Sequence, residues 1–305
     1  PSHRYRGFHA TGTIGVFGSA AATAFLKKLP PKKFIHALSL ASSQAGGTFA
    51  FLAGGVGVKY LHAGNASKNG TQSTMLAELG FTGPISFLDS QEGFANAYSY
   101  DYNLDLVTES LGESFEIKNI FRKMHFICGH IFPAIDALPK NIRFYAPDEI
   151  VTIKVYTYKA ASVLMNRRPS NYSEAKFSIP YCISSFYLFN EVKDCFKDKD
   201  LLESVFQFSE KINIYEENKY TNHFPNKRST RVELTLKCGK VEKCYVEFPK
   251  GSPNNPYTID EISNKLITSL DNKGKIKMAK GLLEEIGNLE EHTNLASLVN
   301  ILKNF

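Results

Sequence analysis

Residues 10–29 read ATGTIGVFGSAAATAFLKKL, with no charge before Lys27 and mostly alanine, glycine, serine or threonine. Small side chains let neighbouring helices approach closely. The stretch therefore predicts a helix packed inside a bundle and ended by Pro30-Pro31. Residues 32–53 repeat this character and predict a second helix. Gly54, Gly55 and Gly57 predict a loop, and residues 64–80 a third helix stopped by Gly80 at the position after its C-cap. Two shorter helices are expected over 85–98 and 101–111. Residues 1–120 thus read as part of a packed helical domain.

The pattern changes near Phe121. Residues 150–158 (IVTIKVYTY) alternate and are rich in β-branched and aromatic side chains, which predicts a strand. Residues 173–189 predict a helix despite Pro180, and residues 191–206 a charged amphipathic helix. Strands are expected at 209–215 and over 230–248, the latter folded at a Lys237-Cys238-Gly239-Lys240 hairpin turn. Residues 258–270 and 276–304 carry the i, i+3, i+4 apolar spacing of packing helices. The fold class is multi-domain α and α+β: a mostly helical domain (1–120) with an inserted, smaller α+β domain (121–257), and helices (258–305) returning to the first.

A 43% hydrophobic content over 305 residues is enough for a sizeable core. The net charge of +6 is spread along the chain. Its densest clusters, Lys27-Lys28 and Lys32-Lys33, flank the Pro-Pro break and read as solvated helix ends, which disfavours a nucleic-acid partner. Apolar runs are broken well short of the ~20 residues that span a bilayer, so no membrane partner is expected. Cys128, Cys182, Cys195, Cys238 and Cys244 are odd in number and lack CxxC spacing. They read as reduced thiols of a cytoplasmic-type compartment, with no zinc site. The chain opens on Pro1 in what reads as the middle of a domain, as expected of a fragment, a cleaved product or one subunit of a split enzyme.

Five segments, in order, carry a resemblance. They are Gly7-Phe8-His9-Ala10-Thr11-Gly12, the run from Lys59 through His62 to Gly70, the run from Lys123 to Asp136, Ala175-Lys176-Phe177-Ser178-Ile179-Pro180-Tyr181, and Pro249 to Pro256 (PKGSPNNP). Together they resemble the MmgE/PrpD family of metal-independent lyases and epimerases acting on small polycarboxylic acids. The resemblance implies a helical domain with an α+β lid, a homodimer, a small polycarboxylate substrate and no metal or organic cofactor. It also implies that roughly the first third of the usual family chain, with an acidic residue and a histidine of the site, lies outside this sequence, in a missing segment or a second polypeptide.

Removing a proton or CO₂ next to a carboxylate creates a costly dianion. Catalysis then calls for cations aimed at the developing charge and a positioned acid–base group. Lysine, with a reference pKa of ~10.4, suits the first task, and histidine, at ~6.5, the second. By resemblance His9, just before the small-residue helix, is a catalytic residue. Lys59, in the expected glycine-rich loop, and Lys123, at the entry to the α+β part, are catalytic and substrate-binding, and His62 is structural. Cys128 falls where decarboxylating relatives can carry histidine; it is a substrate-binding candidate that argues for dehydration over decarboxylation. Phe132 stands where many relatives have the histidine of His-Pro-Ala-Ile-Asp-Ala. His130, two residues earlier, is a catalytic candidate, although helical geometry would turn it to another side. Arg168, in the Arg167-Arg168 loop, is a candidate bidentate carboxylate clamp against the alternative of an exposed charged loop. The leading expectation is dehydration of a 2-methylcitrate- or citrate-type acid. cis-Aconitate decarboxylation and amino-dicarboxylate epimerisation are close alternatives, and a non-catalytic homologue is the reading from another class.

Overall fold

The computed structural model describes residues 2–53, 57–271 and 274–304. Gly54 and Gly55 of the expected loop lie outside them, while Gly57 opens a helix. The small-residue stretch folds as a single turn, Ala10–Thr13, followed by the helix Gly15–Leu26. Val16, Ala20 and Ala24 recur every four residues on one fully buried face. That face meets the helix Gly57–Glu78 at Ala66 and Gly70, and the helix Pro31–Ser42 packs on both. A Cβ added at Gly70 would stand 2.4 Å from the Val16 carbonyl oxygen, so only glycine permits this approach.

Pro31 starts the second helix, because its missing N–H falls where no helical partner exists. The first helix has already ended at Leu26, where Lys28 turns left-handed at φ +52 and the Leu29 N–H donates to the Ala24 carbonyl at 3.0 Å. The third helix ends as the sequence suggests. Gly80 adopts φ +99, its N–H donates to the Ala77 carbonyl at 3.1 Å, and the Phe81 N–H donates to Leu76 at 3.0 Å. Lys27 pairs with Glu78 at 2.7 Å and the Lys33 ammonium donates to the Glu78 carbonyl at 2.7 Å, placing cations at this helix's negative end. The two helices expected over 85–111 shrink to Phe94–Tyr98 and Asp105–Thr108, joined by turns.

The second part is built on a four-stranded sheet of order β2-β1-β3-β4, with β1 Ile150–Thr157, β2 Ile212–Glu216, β3 Thr230–Leu236 and β4 Val241–Val246. β1 and β2 are parallel and joined through the helices Ile179–Phe189 and Lys199–Ser209. β3 and β4 form the expected hairpin, with Gly239 at φ +84 in its turn. Ile153, Val155, Ile212, Val232 and Leu234 enter one core with Ile131, Phe132, Ile179 and Ile183.

The expected 173–189 helix is split at residues 176–178. The Ser178 hydroxyl accepts from the Tyr181 N–H at 3.0 Å, so Pro180 sits in a first turn, where it costs little. The expected 191–206 helix begins only at Lys199, where the Asp198 carboxylate caps the Asp200 and Leu201 amides at 3.1 Å each. The long terminal helix is broken into Ile276–Gly287 and Ala296–Lys303. Ile276–Gly287 packs on Ile259–Asp271, and Ala296–Lys303 packs on Ile276–Gly287. Ile259–Asp271 carries Lys265 over the Phe126 ring at 4.9 Å. No described helix is long and apolar enough to cross a membrane.

Candidate active site

The Gly7-Phe8-His9-Ala10-Thr11-Gly12 motif has a local physical explanation. Residues 7–9 run alongside 47–49: the Phe49 N–H donates to the Gly7 carbonyl at 2.7 Å and the His9 N–H to Gly47 at 3.0 Å. His9 is thereby held extended before the Ala10 turn, against the rings of Phe49 and Phe51 at 4.9 and 5.4 Å. A Cβ at Gly12 would lie 2.0 Å from the Gly46 carbonyl oxygen, and one at Gly47 (φ +124) would lie 3.1 Å from the His62 ring. Gly12 thus lets the 46–47 backbone approach the turn after His9, and Gly47 leaves room for the His62 ring.

The two imidazoles share a hydrogen bond, Nδ1 to Nδ1, at 2.8 Å, in which one ring donates to the other. The Thr11 hydroxyl lies 3.2 Å from His9 Nε2. Burial is the main cause that lowers the His9 pKa to about 4; His62, Lys59 and Arg4 push it the same way. His62, expected to be structural, is the hydrogen-bond partner of the catalytic candidate His9.

Lys59 stands in the first turn of the Gly57–Glu78 helix rather than in a loop. Its ammonium lies 4.8 Å from the centre of the Phe177 ring, which comes from the α+β part. Phe177 also meets Phe51 edge-on at 5.7 Å. These aromatic contacts bring the two parts together beside His9.

On the α+β side, Lys123 donates to the Ile127 carbonyl at 3.2 Å, and burial lowers its pKa against the opposing pull of Cys128. Cys128 is buried, and burial raises its thiol pKa despite the His130 amide and the charges of Lys123, Lys59 and Arg228. His130 Nδ1 lies 2.8 Å from the Tyr158 hydroxyl. Its pKa is lowered to about 3, chiefly by burial and then by Arg228, Arg4, Lys123 and Lys59. The helix here begins only at Phe132, so Gly129–Ile131 is a turn. Phe132 is 1% exposed and packs edge-on against Phe121 at 5.3 Å, so it belongs to the core.

Two cations of this group escaped the sequence reading. The Arg4 guanidinium stacks 3.6 Å from the centre of the Phe49 ring, and its buried Nε has no hydrogen-bond partner among the described residues. Arg228 packs at 4.8 Å on the Phe121 ring and donates to the Gly129 carbonyl at 3.3 Å. No spacing marks either one: Arg4 lies in a short basic run and Arg228 at the entry to β3. Only the fold draws them to His130.

Among the described residues, none of Arg4, Lys59, Lys123 and Arg228 forms a salt bridge with a carboxylate. Four cations drawn together without counter-ions make a site for a multiply charged anion. Arg168 is placed differently. It is half exposed, lies over the Phe206 ring at 5.2 Å, and pairs with Glu203 and Glu210 at 3.4 Å each. Among the described residues no group of three or more His, Cys, Asp or Glu is arranged to hold a metal ion.

Comparison with known proteins follows the same division. The chain is 26% identical over 284 residues to a cis-aconitate decarboxylase-like protein of Aspergillus oryzae, across 85% of this chain and 58% of that protein. It is 40% identical over 92 residues to cis-aconitate decarboxylase of Mus musculus, and 39% identical over 92 residues to that of Homo sapiens. Each of these shorter matches covers 30% of this chain, and they cover 18% and 19% of the mouse and human proteins. The chain thus spans less than two thirds of the length of the relatives it matches. Residues 1–107 match the MmgE/PrpD N-terminal domain and residues 125–290 the MmgE/PrpD C-terminal domain, and the chain belongs to the MmgE/PrpD family.

Proposed function

We propose that this chain carries the anion-binding half-site and a proton-transfer pair of a lyase acting on a small tricarboxylate, with decarboxylation of a cis-aconitate-type acid as the reaction. The observation that carries the reading is the convergence of Arg4, Lys59, Lys123 and Arg228, without a carboxylate partner, on the histidines His9 and His130. The names of the relatives move decarboxylation ahead of the dehydration that the sequence alone favoured.

In such a reaction the bond to the allylic carboxylate breaks and CO₂ leaves. The electron pair forms a new terminal double bond, and the former alkene carbon takes one proton. The protein must hold three carboxylates, stabilise the transient carbanion and supply that proton. Lys59, Lys123, Arg4 and Arg228 serve the first two needs, and His9, backed by His62, the third. Cys128, the substrate-binding candidate beside Lys123, presents an uncharged thiol to the same space. Residues 121–257 act as a lid over the helical part, a reading supported by Phe177 reaching both Lys59 and Phe51.

Dehydration of a citrate-type acid is the second reading, favoured by Cys128 standing where the sequence reading expects decarboxylating relatives to have histidine. The test is to incubate the protein with cis-aconitate and follow CO₂ release and the unsaturated dicarboxylate by NMR, with parallel 2-methylcitrate and citrate reactions assayed for water loss. Product from neither type of acid, together with no binding of any tricarboxylate, would sink the proposal and favour a non-catalytic homologue.

A further inference from the structure

His130 was singled out as a catalytic histidine, yet its surroundings fix its proton in a way that an acid–base group would not want. Tyr158 directly follows β1, before the short helix Lys159–Ser162, and has no solvent exposure. Its ring stacks on Phe224 at 4.8 Å and 9°. That stack holds the hydroxyl 2.8 Å from His130 Nδ1, its hydrogen-bond partner among the described residues. In a buried phenol, an O–H without an acceptor is worse than an oxygen without a donor. If Nδ1 carried the proton, it would donate to the phenol oxygen and leave the Tyr158 O–H stranded. If both ring nitrogens were protonated, the same stranding would occur and a further positive charge would join Arg228, Arg4, Lys123 and Lys59.

We propose that Tyr158 is a positioning residue that locks His130 as a neutral imidazole with its proton on Nε2, so that His130 serves the site as a hydrogen-bond donor to a substrate carboxylate and not as its acid or base. Nε2 makes no hydrogen bond to the protein among the described residues, which leaves that donor for a ligand. A neutral N–H among four cations strengthens the hold on an oxygen where charge grows, and adds no further repulsion within the empty site. The division of labour follows: the His9–His62 pair moves the proton, and His130 holds the charge. This rests on the polycarboxylate reading above for its ligand, but the tautomer does not.

The test is ¹⁵N–¹H correlation NMR of histidine-labelled protein, which separates the two tautomers and the imidazolium. The expected wild-type spectrum shows His130 protonated on Nε2 alone and not titrating between about pH 5 and 8. A ring protonated on Nδ1, a mixture, or a titrating ring overturns the proposal. Adding tricarballylate, a saturated tricarboxylate, should shift the Nε2–H resonance. Binding without that shift removes the donor role, whereas no binding at all counts against the polycarboxylate reading and leaves the tautomer result standing. Tyr158→Phe should give mixed tautomers and a lower kcat with little change in KM. Because that variant can lose its fold, His130→Gln is the companion, since a glutamine amide can still donate. It should keep a measurable fraction of kcat with an unchanged pH profile; complete loss with an altered profile would restore His130 to an acid–base role.

Discussion

The low pKa of His9 turns the proposed chemistry into a quantitative expectation. At about 4 in the empty site, the ring is almost entirely neutral at pH 7. Charging it there costs about 4 kcal/mol, at 1.36 kcal/mol per pKa unit. Two of the causes, Lys59 and Arg4, are cations that a bound polycarboxylate would neutralise. A carboxylate seated about 5 Å from the ring, at an effective dielectric of about 20, returns roughly 3 kcal/mol, or about two pKa units. His9 should therefore titrate near 4 in the free protein and near 6 with tricarballylate bound, making substrate binding the event that arms the proton donor. Lys59→Met tests the account from the other side. Loss of one cation should raise the free-protein value, and loss of a charge-assisted contact of about 1.5–3 kcal/mol should weaken tricarballylate roughly 10- to 150-fold. The assay is an NMR pH titration of the His9 ring in wild type and variant, with and without ligand, beside calorimetric binding. A His9 that titrates near 6.5 when free, or whose pKa falls when the ligand binds, would refute the reasoning.

Both His9 and His130 have folded-state pKa values, about 4 and about 3, below the unfolded value of 6.5. The unfolded chain then binds more protons as pH falls below about 6.5, so the folded state should lose stability steadily on acidification and none of this loss should appear above pH 7. Thermal melts from pH 7 to pH 4 check the sign, and His130→Gln should flatten the slope. Arg168→Ala should leave tricarboxylate binding within about twofold and change stability by less than about 1 kcal/mol, since its partners Glu203 and Glu210 are half exposed; a large rise in KM would return Arg168 to the site. Gly70→Val should destabilise the helical part by more than about 2 kcal/mol in chemical denaturation, because its Cβ would strike the Val16 carbonyl and the Ala20 amide. The expected homodimer would be one way to cover Phe25, Leu26 and Leu79, each more than three-quarters exposed on the helical part; light scattering that gives a monomer at micromolar concentration would remove that expectation.

Much of this fold could be read locally. The Ala- and Gly-rich faces at Val16, Ala20 and Ala66, the alternation of β1, and the turn at Gly239 each follow from a few neighbouring residues. The errors cluster where a cap or a partner decides. Ser178 and Asp198 move two helix starts by accepting backbone N–H groups, and Ser-x-Pro before residues 181–189 was the signal available for the first. Residues 85–111 carry helical composition but gain too little packing to extend beyond short turns. The helix that starts at Gly57 includes Lys59, which was expected in a loop, and so holds it on a regular element. Of the candidate site, His9, Lys59 and Lys123 stand out in the sequence because short motifs surround them. Arg4 and Arg228 do not, because a lone arginine has no meaning until the fold removes its carboxylate partners.

By the sequence reading, Phe132 stands where many relatives have a histidine, and the geometry bears on what one would do there. A histidine there would sit in the core at 1% exposure, between Phe121 at 5.3 Å and the ring of His125 at 5.7 Å, where an imidazole needs hydrogen-bond partners and would face a second ring among otherwise apolar neighbours. His130 stands two residues earlier, on the turn before the helix, where Tyr158 supplies a partner for Nδ1 and the cation cluster lies within electrostatic range. Phe132→His should therefore lose roughly 1–3 kcal/mol of stability from an unsatisfied buried ring without gaining activity. The double variant Phe132→His/His130→Phe should not recover function, because Tyr158 would then face a phenyl ring and its own O–H would be stranded. Recovery of turnover in that double variant would mean that the two positions are interchangeable, and that Tyr158 is packing rather than positioning.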